Sequence, residues 1–212
     1  MKQRFSFKYN IRAVALLTLA GALLLAGCST FQPIKSSSIS TYTLEAQFPS
    51  HATTKGELTL LVSTPNASAG FDTPRMRYIK KQHELDYFSQ NQWIDTPARM
   101  LAPILLQALE STAQYRSVVS ARTAAKADLR LDTEIIRLQH DFIPRPSQVR
   151  ITIRAQLIDM RNKSVLATRE FDVTEIATSE DPYGGVLAYN RAVKTILLQI
   201  AEFCVPLSNA EK

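Results

Sequence analysis

The residues that could perform chemistry in this chain of 212 residues are few and lie far apart. His83-Glu84 begins like the zinc-binding pattern His-Glu-x-x-His, but the fifth position is Tyr87, so the second histidine ligand is missing. His51 and His140 lie in separate loop-like segments. The sequence also has no Gly-x-Ser-x-Gly nucleophile elbow and no glycine-rich phosphate loop. We therefore predict no catalytic residue, no metal site and no cofactor.

The two cysteines, Cys28 and Cys204, cannot form a disulfide framework or a four-ligand zinc site. Cys204 lies at the end of an apolar helical stripe, which favours a buried thiol. A nucleophilic role would require a positioned histidine, and an intermolecular disulfide would require an oxidising compartment. Cys28 has a different setting, because it ends an apolar run.

The segment before Cys28 is typical of a secretory signal. Residues 1–12 are basic, and residues 13–27 are uncharged and almost wholly apolar. This apolar run is shorter than the roughly 20 residues that a transmembrane helix needs. The last four residues up to Cys28, Leu-Ala-Gly-Cys, closely resemble a bacterial lipobox, in which the cysteine is acylated, for example with palmitate. We expect residues 1–27 to be removed as a signal peptide and the acyl chains on Cys28 to hold the protein on a membrane.

The residues after the cysteine predict a destination and a tether. Ser29 stands where an aspartate would retain the protein at the inner membrane. By resemblance to enterobacterial sorting rules, Ser29 predicts the outer membrane of a Gram-negative bacterium, with the protein facing the periplasm. Residues 28–40 are polar and rich in serine, which is typical of a flexible tether. We expect a single domain over residues 41–206 and a short tail at 207–212.

The net charge of +6 is unevenly distributed. Of the 25 lysines and arginines, four lie in residues 1–27, which contain no acidic residue, so the other 21 are nearly balanced by 19 acidic residues. A nucleic-acid-binding protein carries a concentrated basic face. The composition therefore argues against a nucleic-acid partner.

Alternating apolar residues predict a largely antiparallel sheet. Its three longest strands are predicted at 128–138, 148–159 and 165–176, with a loop at 139–147 and one apolar face. A hairpin is predicted from 76–80 and 85–89. Shorter strands are predicted at 41–46, 58–62 and 115–120, and a loop at 66–74.

Two helices complete the predicted α+β fold, and we expect both to pack on one face of the sheet. The first begins at Thr96-Pro97, where threonine and proline are typical of a helix start. Pro103 either bends this helix or begins its main part. The second begins at Asp181-Pro182.

Two glycines and a proline in the second helix predict features of its start and its end. Gly184 and Gly185 indicate either a close approach to another backbone or a loop that extends to Gly185. Pro206 is predicted to end the helix.

Two groups of residues are candidates for contact with a partner. Four aromatic residues lie on or just after the predicted hairpin: Tyr78, Tyr87, Phe88 and Trp93. Because neighbours on a strand point to opposite faces, we expect at least one of Tyr87 and Phe88 to be buried. Arg150 and Arg154 form the second candidate, a basic face. Alternatively, these arginines pair with nearby acidic residues: Asp132, Glu134, Asp159 and Asp172.

Several short segments, in this order, resemble the ABC-type transport auxiliary lipoproteins, the PqiC-like family. They are TYTL at 41–44, RMRY at 75–78, LDYF at 85–88 followed by Trp93, and LRL at 129–131. The resemblance extends over residues 40–204.

The resemblance implies a non-catalytic periplasmic component of an MCE-type system that transports lipids or organic solvents. In such a system an ABC permease and ATPase work with an MCE-domain protein, which the lipoprotein would dock at the outer membrane. Two other functions stay open: a stand-alone lipid-binding lipoprotein, which would need an internal apolar cavity, and an activator of a cell-wall enzyme. A homo-oligomer is also compatible with the sequence.

Overall fold

A mixed sheet and two helices make up the computed structural model, which describes residues 38–49 and 56–209. The predicted signal segment 1–27, Cys28, the predicted tether up to residue 37 and His51 lie outside the described residues. The strands are β1 (Ser40–Tyr42), β2 (Thr59–Val62), β3 (Asn66–Ala67), β4 (Arg75–Lys81), β5 (Glu84–Trp93), β6 (Ser117–Ser120), β7 (Leu129–Asp141), β8 (Gln148–Asp159) and β9 (Ser164–Ile176). The helices are α1 (Pro97–Glu110) and α2 (Pro182–Asn209).

The long strands β7, β8 and β9 form the predicted antiparallel meander. Ile135 pairs with Ile153, which in turn pairs with Phe171, and all three side chains are buried. Strand β7 continues to Asp141, beyond its predicted end at 138. The extension forms because His140 pairs with strands on both sides, with Val149 of β8 and Tyr78 of β4. The backbone N–H and C=O groups of a strand paired on both sides form hydrogen bonds to the neighbouring strands, so they do not need water as a partner, as those of a loop do.

Parallel pairings make the sheet more mixed than predicted. Strand β2 lies between β6 and β7 and is parallel to both, and β1 is parallel to β5. Strand β3 lies within the predicted loop at 66–74 and pairs with β7. Strand β1 ends at Tyr42, earlier than predicted. The α+β class is confirmed, with antiparallel pairing limited to the longer strands.

Helix α1 begins where Thr96-Pro97 predicts. The Thr96 carbonyl accepts hydrogen bonds from the backbone N–H groups of Arg99 and Met100. The helix is continuous through Pro103, so its main part does not begin there. Pro103 lies on the exposed side, and its missing N–H leaves the Arg99 carbonyl without its usual helical donor. The buried side carries Leu101, Ile104, Leu105, Ala108 and Leu109.

Helix α2 begins at Pro182, directly after a capping aspartate. The carboxylate of Asp181 accepts a hydrogen bond from the N–H of Gly184 at 2.8 Å. The helix continues to Asn209, so the prediction that Pro206 ends it is wrong. A proline removes one N–H donor, but the remaining helical bonds can carry the chain through it. The buried stripe that contacts the sheet comprises Val186, Tyr189, Val193, Ile196 and Ile200.

The apolar core lies where these elements meet. The rings of Trp93 and Tyr189 meet edge to face at 5.3 Å, which joins the end of β5 to α2. Tyr115 is buried, and its hydroxyl donates a hydrogen bond to the Cys204 carbonyl at 3.0 Å. Packing of both helices on one face of the sheet stays a prediction. None of the helices in the described ranges is long and apolar enough to cross a membrane.

Candidate docking surface

The predicted hairpin exists, and it positions the first candidate surface. Strands β4 and β5 are antiparallel, with Arg77 opposite Tyr87 and Lys81 opposite Glu84. His83 adopts φ 65° at the turn, a left-handed conformation for which histidine is better suited than most residues. A tight turn of this kind fixes the register, and therefore the face on which each side chain lies.

Aromatic side chains gather on one face of the hairpin. The rings of Tyr78 and Phe88 lie 4.6 Å apart, and they lie 6.0 and 6.2 Å from the ring of Phe142. Phe142 stacks on the buried imidazole of His140 at 4.0 Å. We call Tyr78, Phe88, His140 and Phe142 the aromatic cluster. Because its three benzene rings are only half-buried, this cluster presents apolar surface to solvent.

The hydroxyl of Tyr78 anchors the exposed edge of the aromatic cluster. It donates a hydrogen bond to Oδ2 of Asp86 at 2.9 Å. This bond raises the pKa of Tyr78. The pKa of Asp86 is lowered, first by the N–H of Tyr87 and then by the Tyr78 hydroxyl. The hairpin therefore holds an ionised carboxylate beside the aromatic rings at neutral pH.

Tyr87 lies on the opposite face of the hairpin from Phe88. Its hydroxyl accepts hydrogen bonds from Nε and Nη2 of Arg77 at 3.2 and 2.8 Å. The guanidinium carbon of Arg75 lies 3.7 Å from the centroid of the Tyr87 ring, and that of Arg77 lies 4.5 Å from the centroid of Phe71. We call Phe71, Arg75, Arg77 and Tyr87 the arginine–tyrosine cluster.

Trp93 does not join either cluster. Its side chain is 2% exposed and packs on Tyr189 in the core. The structure therefore separates the four aromatic residues of the sequence-based surface: Tyr78 and Phe88 share one face, Tyr87 lies on the other, and Trp93 is buried.

Arg150 and Arg154 point to the solvent, and both face carboxylates. Arg150 donates through Nε to Oδ1 of Asp172 at 2.9 Å, and this hydrogen bond is the first cause of the lowered pKa of Asp172. Arg154 lies 3.9 Å from Glu134 and 3.7 Å from Glu170. This arrangement favours the interpretation of local charge pairing over that of a basic face.

The described residues bring no metal ligands together. In these ranges no group of three or more histidine, cysteine, aspartate or glutamate side chains could hold a metal ion. His140 is fully buried in β7, and its Nε2 lies 3.0 Å from the hydroxyl of Ser147. Cys204 is also fully buried, as expected, and burial raises the pKa of its thiol to about 12. A thiol with this pKa stays protonated, so it is a poor nucleophile.

An open cleft and a small cavity lie beside α1 in the part of the chain that the structure describes. The larger, of about 390 Å³, is an open cleft between α1 and the ends of β2 and β6, lined in part by Arg99, Pro103 and Arg122. The smaller, of about 10 Å³, lies among apolar side chains between the helices and the sheet, including those of Leu105 and Leu197. An acyl chain needs far more internal volume than the smaller cavity provides.

A family model described as the ABC-type transport auxiliary lipoprotein component matches residues 42–201. The chain belongs to this family. The match includes both clusters and most of α2, and it confirms the resemblance carried by the segments around residues 41–44, 75–78, 85–88 and 129–131. No curated protein sequence matches this auxiliary lipoprotein.

Two solved structures share the fold of this auxiliary lipoprotein. The crystal structure of protein XCC0632 from Xanthomonas campestris, of the DUF330 family model, has a TM-score of 0.71 at 20% identity and covers 80% of this chain and 96% of its own. The crystal structure of an uncharacterized protein has a TM-score of 0.62 at 15% identity and covers 79% and 99%, respectively. Likeness at these identities shows a common fold and no common ligand.

Sequence reasoning missed the partners that complete the two clusters. Phe142 and His140 fall in the segment predicted as a loop, so nothing placed them beside Tyr78. Arg75 and Arg77 belong to the RMRY segment, but their stacking on Tyr87 depends on hairpin register. Gly70 was the one available signal: it adopts φ 85°, and a Cβ atom there would collide with the Arg77 guanidinium.

Proposed function

We propose that this protein is a non-catalytic auxiliary component of an MCE-type ABC transport system for lipids or organic solvents. Its role is to dock the periplasmic MCE-domain protein, which works with an ABC permease and ATPase, at the outer membrane. The observation that carries the proposal is the family match over residues 42–201, whose description is that of an ABC-type transport auxiliary lipoprotein component. The lipobox that ends at Cys28 supports an acyl anchor in the membrane.

We place the partner contact at the exposed part of the aromatic cluster, above all Tyr78 and Phe88. Half-buried rings on a rigid hairpin present apolar area that is already ordered, so binding costs little further conformational entropy. Aromatic residues are enriched among the interface positions that contribute most to affinity. We do not place the contact at Tyr87, which lies on the other face of the hairpin, or at Arg150 and Arg154, which face carboxylates. The buried Trp93 can act only by supporting the fold.

A stand-alone lipid carrier receives less support from the described residues. Among them, an apolar cavity between the helices and the sheet has a volume of about 10 Å³, and the cleft of about 390 Å³ is open and lined partly by charged side chains. Lipid extraction from the purified mature protein is expected to recover no stoichiometric lipid. A bound lipid at one copy per protein would favour the carrier instead.

Capture of the transport components tests the docking role. The mature lipidated protein should co-purify with the MCE-domain protein, and Tyr78→Ala or Phe88→Ala should weaken this capture at least tenfold, the scale of an interface hot spot. Val165→Ala is the control, because Val165 is an exposed apolar residue on β9, which pairs with β8 and not with the hairpin. Each variant is first checked for an unchanged melting temperature. If the parent protein captures no MCE protein, permease or ATPase, the proposed function is wrong.

A further inference from the structure

The outer face of the hairpin carries two arginines that have no carboxylate partner in the described ranges. Arg75 and Arg77 are two positions apart on β4, so their side chains share the face opposite the buried Met76. By contrast, Arg150 and Arg154 on β8 face Asp172, Glu134 and Glu170. The arginines of β8 therefore form close ion pairs, whereas the β4 pair has none within 4 Å in the described ranges, and Arg75 acts on Asp86 only at longer range.

Aromatic rings hold both guanidinium groups in place. The guanidinium carbons of Arg75 and Arg77 lie 3.7 and 5.1 Å from the centroid of the Tyr87 ring. Gly70 leaves the space that the Arg77 guanidinium occupies. Arg77 gives its Nε and Nη2 donors to the Tyr87 hydroxyl. The donors along the edge of the Arg75 guanidinium and at Nη1 of Arg77 suit the oxygens of a phosphate or carboxylate. The cluster is therefore preorganised to bind an oxyanion.

This arginine pair lies close to the point where the tether joins the domain. Arg75 is opposite Gln92 of β5, and Gln92 is opposite Thr41 of β1. Register partners on adjacent strands share a face, and two strand spacings amount to roughly 10 Å. The twelve residues from Cys28 to β1 span at most about 40 Å when extended and roughly 20 Å as a flexible coil. An acyl anchor at Cys28 would thus keep Arg75 near the lipid surface.

Exposed aliphatic residues flank the same corner of the sheet. Ile39, directly before β1, is 55% exposed, and Ile94, directly after β5, is 68% exposed. The N–H of Ile94 donates to the Tyr42 carbonyl at 2.8 Å, so the two segments are neighbours. Arginine, tyrosine and exposed aliphatic side chains together are typical of protein surfaces that rest on a lipid headgroup layer.

We propose that this corner, formed by Ile39, Arg75, Arg77, Tyr87 and Ile94, lies on the bilayer and that its arginines bind phosphate groups of anionic phospholipids. The inference rests on the acyl anchor of the proposed function. It assigns an orientation: the outer face of the β1–β5–β4 corner contacts lipid headgroups, and the aromatic cluster on the opposite face of the hairpin stays available to a protein partner.

Fluorescent labels on the mature lipidated protein can report this orientation in vesicles. Ile94→Cys places a label in the corner, and Val165→Cys places one on β9, at the opposite edge of the sheet, where Val165 is 54% exposed. Cys204 is fully buried and should not react. In phosphatidylglycerol vesicles we expect the label at 94 to be shielded from aqueous iodide and quenched by lipid-borne quenchers. The label at 165 should stay accessible to iodide.

The role of the arginines is tested by Arg75→Gln, which removes the more exposed member of the pair. An arginine beside an anionic surface contributes a Boltzmann factor of roughly five, so the ratio of shielded to accessible label at 94 should fall about fivefold. Arg169→Gln is the matched control, because Arg169 also lies over an aromatic ring, that of Phe171, but on β9. It should leave the ratio unchanged. Phosphatidylcholine vesicles give neither arginine an anionic surface, so with the parent protein this ratio should fall at least as far as Arg75→Gln lowers it in phosphatidylglycerol vesicles.

Three outcomes would overturn the inference. They are equal iodide access at 94 and 165, equal shielding in anionic and neutral vesicles, and equal effects of Arg75→Gln and Arg169→Gln. A loss of partner capture by Arg75→Gln without a change in shielding would instead assign these arginines to a protein contact. Vesicle flotation separates this failure from failure of the anchor, because a protein without its anchor stays out of the vesicle fraction.

Discussion

A Cβ atom on Gly185 would lie 2.5 Å from Nδ1 of His140. The imidazole is fully buried, and its stacking on Phe142 holds it against the first turn of α2. Only glycine lets this turn approach β7 so closely. The pair therefore joins α2 to the aromatic cluster, and it explains the second glycine of a helix start where glycine is otherwise unfavourable.

Gly185→Ala should destabilise the protein, although the same change in an ordinary helix stabilises it by up to about 1 kcal/mol. The added methyl group must displace a packed ring, so we expect a loss of about 1–3 kcal/mol, the usual cost of overpacking. Urea unfolding measures the difference. In a His140→Ala background the clash is removed, and the alanine should become neutral or stabilising. An increase in stability in the parent background would contradict the close contact.

Acid should weaken the fold through His140. Burial lowers its pKa from the ordinary 6.5 to about 4, against the opposing effect of Glu180, Asp181 and Asp141. Between pH 6.5 and pH 4, His140 of the unfolded chain binds a proton, whereas the buried imidazole of the folded chain stays neutral. Stability is therefore complete above pH 6.5 and falls as the pH drops to 4, by about 3 kcal/mol at 1.36 kcal/mol per unit.

The measurement is the free energy of unfolding at several pH values between 7 and 4, which a His140→Phe variant should make flatter. Phenylalanine keeps a ring that can stack on Phe142 but has no proton to bind. Equal slopes for the parent and the variant would show that other groups carry the acid sensitivity.

These contacts show where the sequence was informative and where it was not. The alternation of apolar residues along β7 to β9 is a local signal, and it predicted the meander. Both helix starts were predicted from local residue pairs, Thr96-Pro97 and Asp181-Pro182. A close approach to another backbone was one of two open interpretations of Gly184 and Gly185, and a loop up to Gly185 was the other. The helix already begins at Pro182, and Gly185 approaches the side chain of His140 instead of a backbone. The identity of the neighbour, His140, depends on pairing between β4 and β7, which no local pattern encodes.

The sequence also did not predict which of the aromatic residues are buried. In the sequence, four aromatic residues form one cluster: Tyr78, Tyr87, Phe88 and Trp93. In the structure, their positions on β4 and β5 differ in how deeply neighbouring elements bury their side chains. The register of β4 and β5 shifts between Arg75 and Arg77, which interrupts simple alternation along β5. Trp93 consequently faces Tyr189 of α2, and a helix located about 90 residues later in the chain cannot be docked by periodicity alone.

Ile196→Ala should cost about 2–5 kcal/mol, the range for truncating a buried aliphatic side chain. Ile196 is fully buried in the stripe of α2 that faces the sheet. Leu198→Ala is the matched control on the same helix, because Leu198 is 39% exposed. We expect a markedly smaller loss there. Similar losses for the two variants would mean that the exposed side of α2 is covered by something else in solution.

Arg150 should contribute little to stability and little to partner capture. Its pairing with Asp172 is exposed to solvent, and such pairs are worth about 0–1 kcal/mol. A double-mutant cycle with Arg150→Ala and Asp172→Ala should give a coupling energy in this range, which decreases at high salt. Because Asp172 neutralises the guanidinium, both single variants should capture the MCE-domain protein as well as the parent does. If Arg150→Ala alone weakened capture, the guanidinium would be available to a partner despite its carboxylate, and the docking surface would extend from the hairpin onto β8.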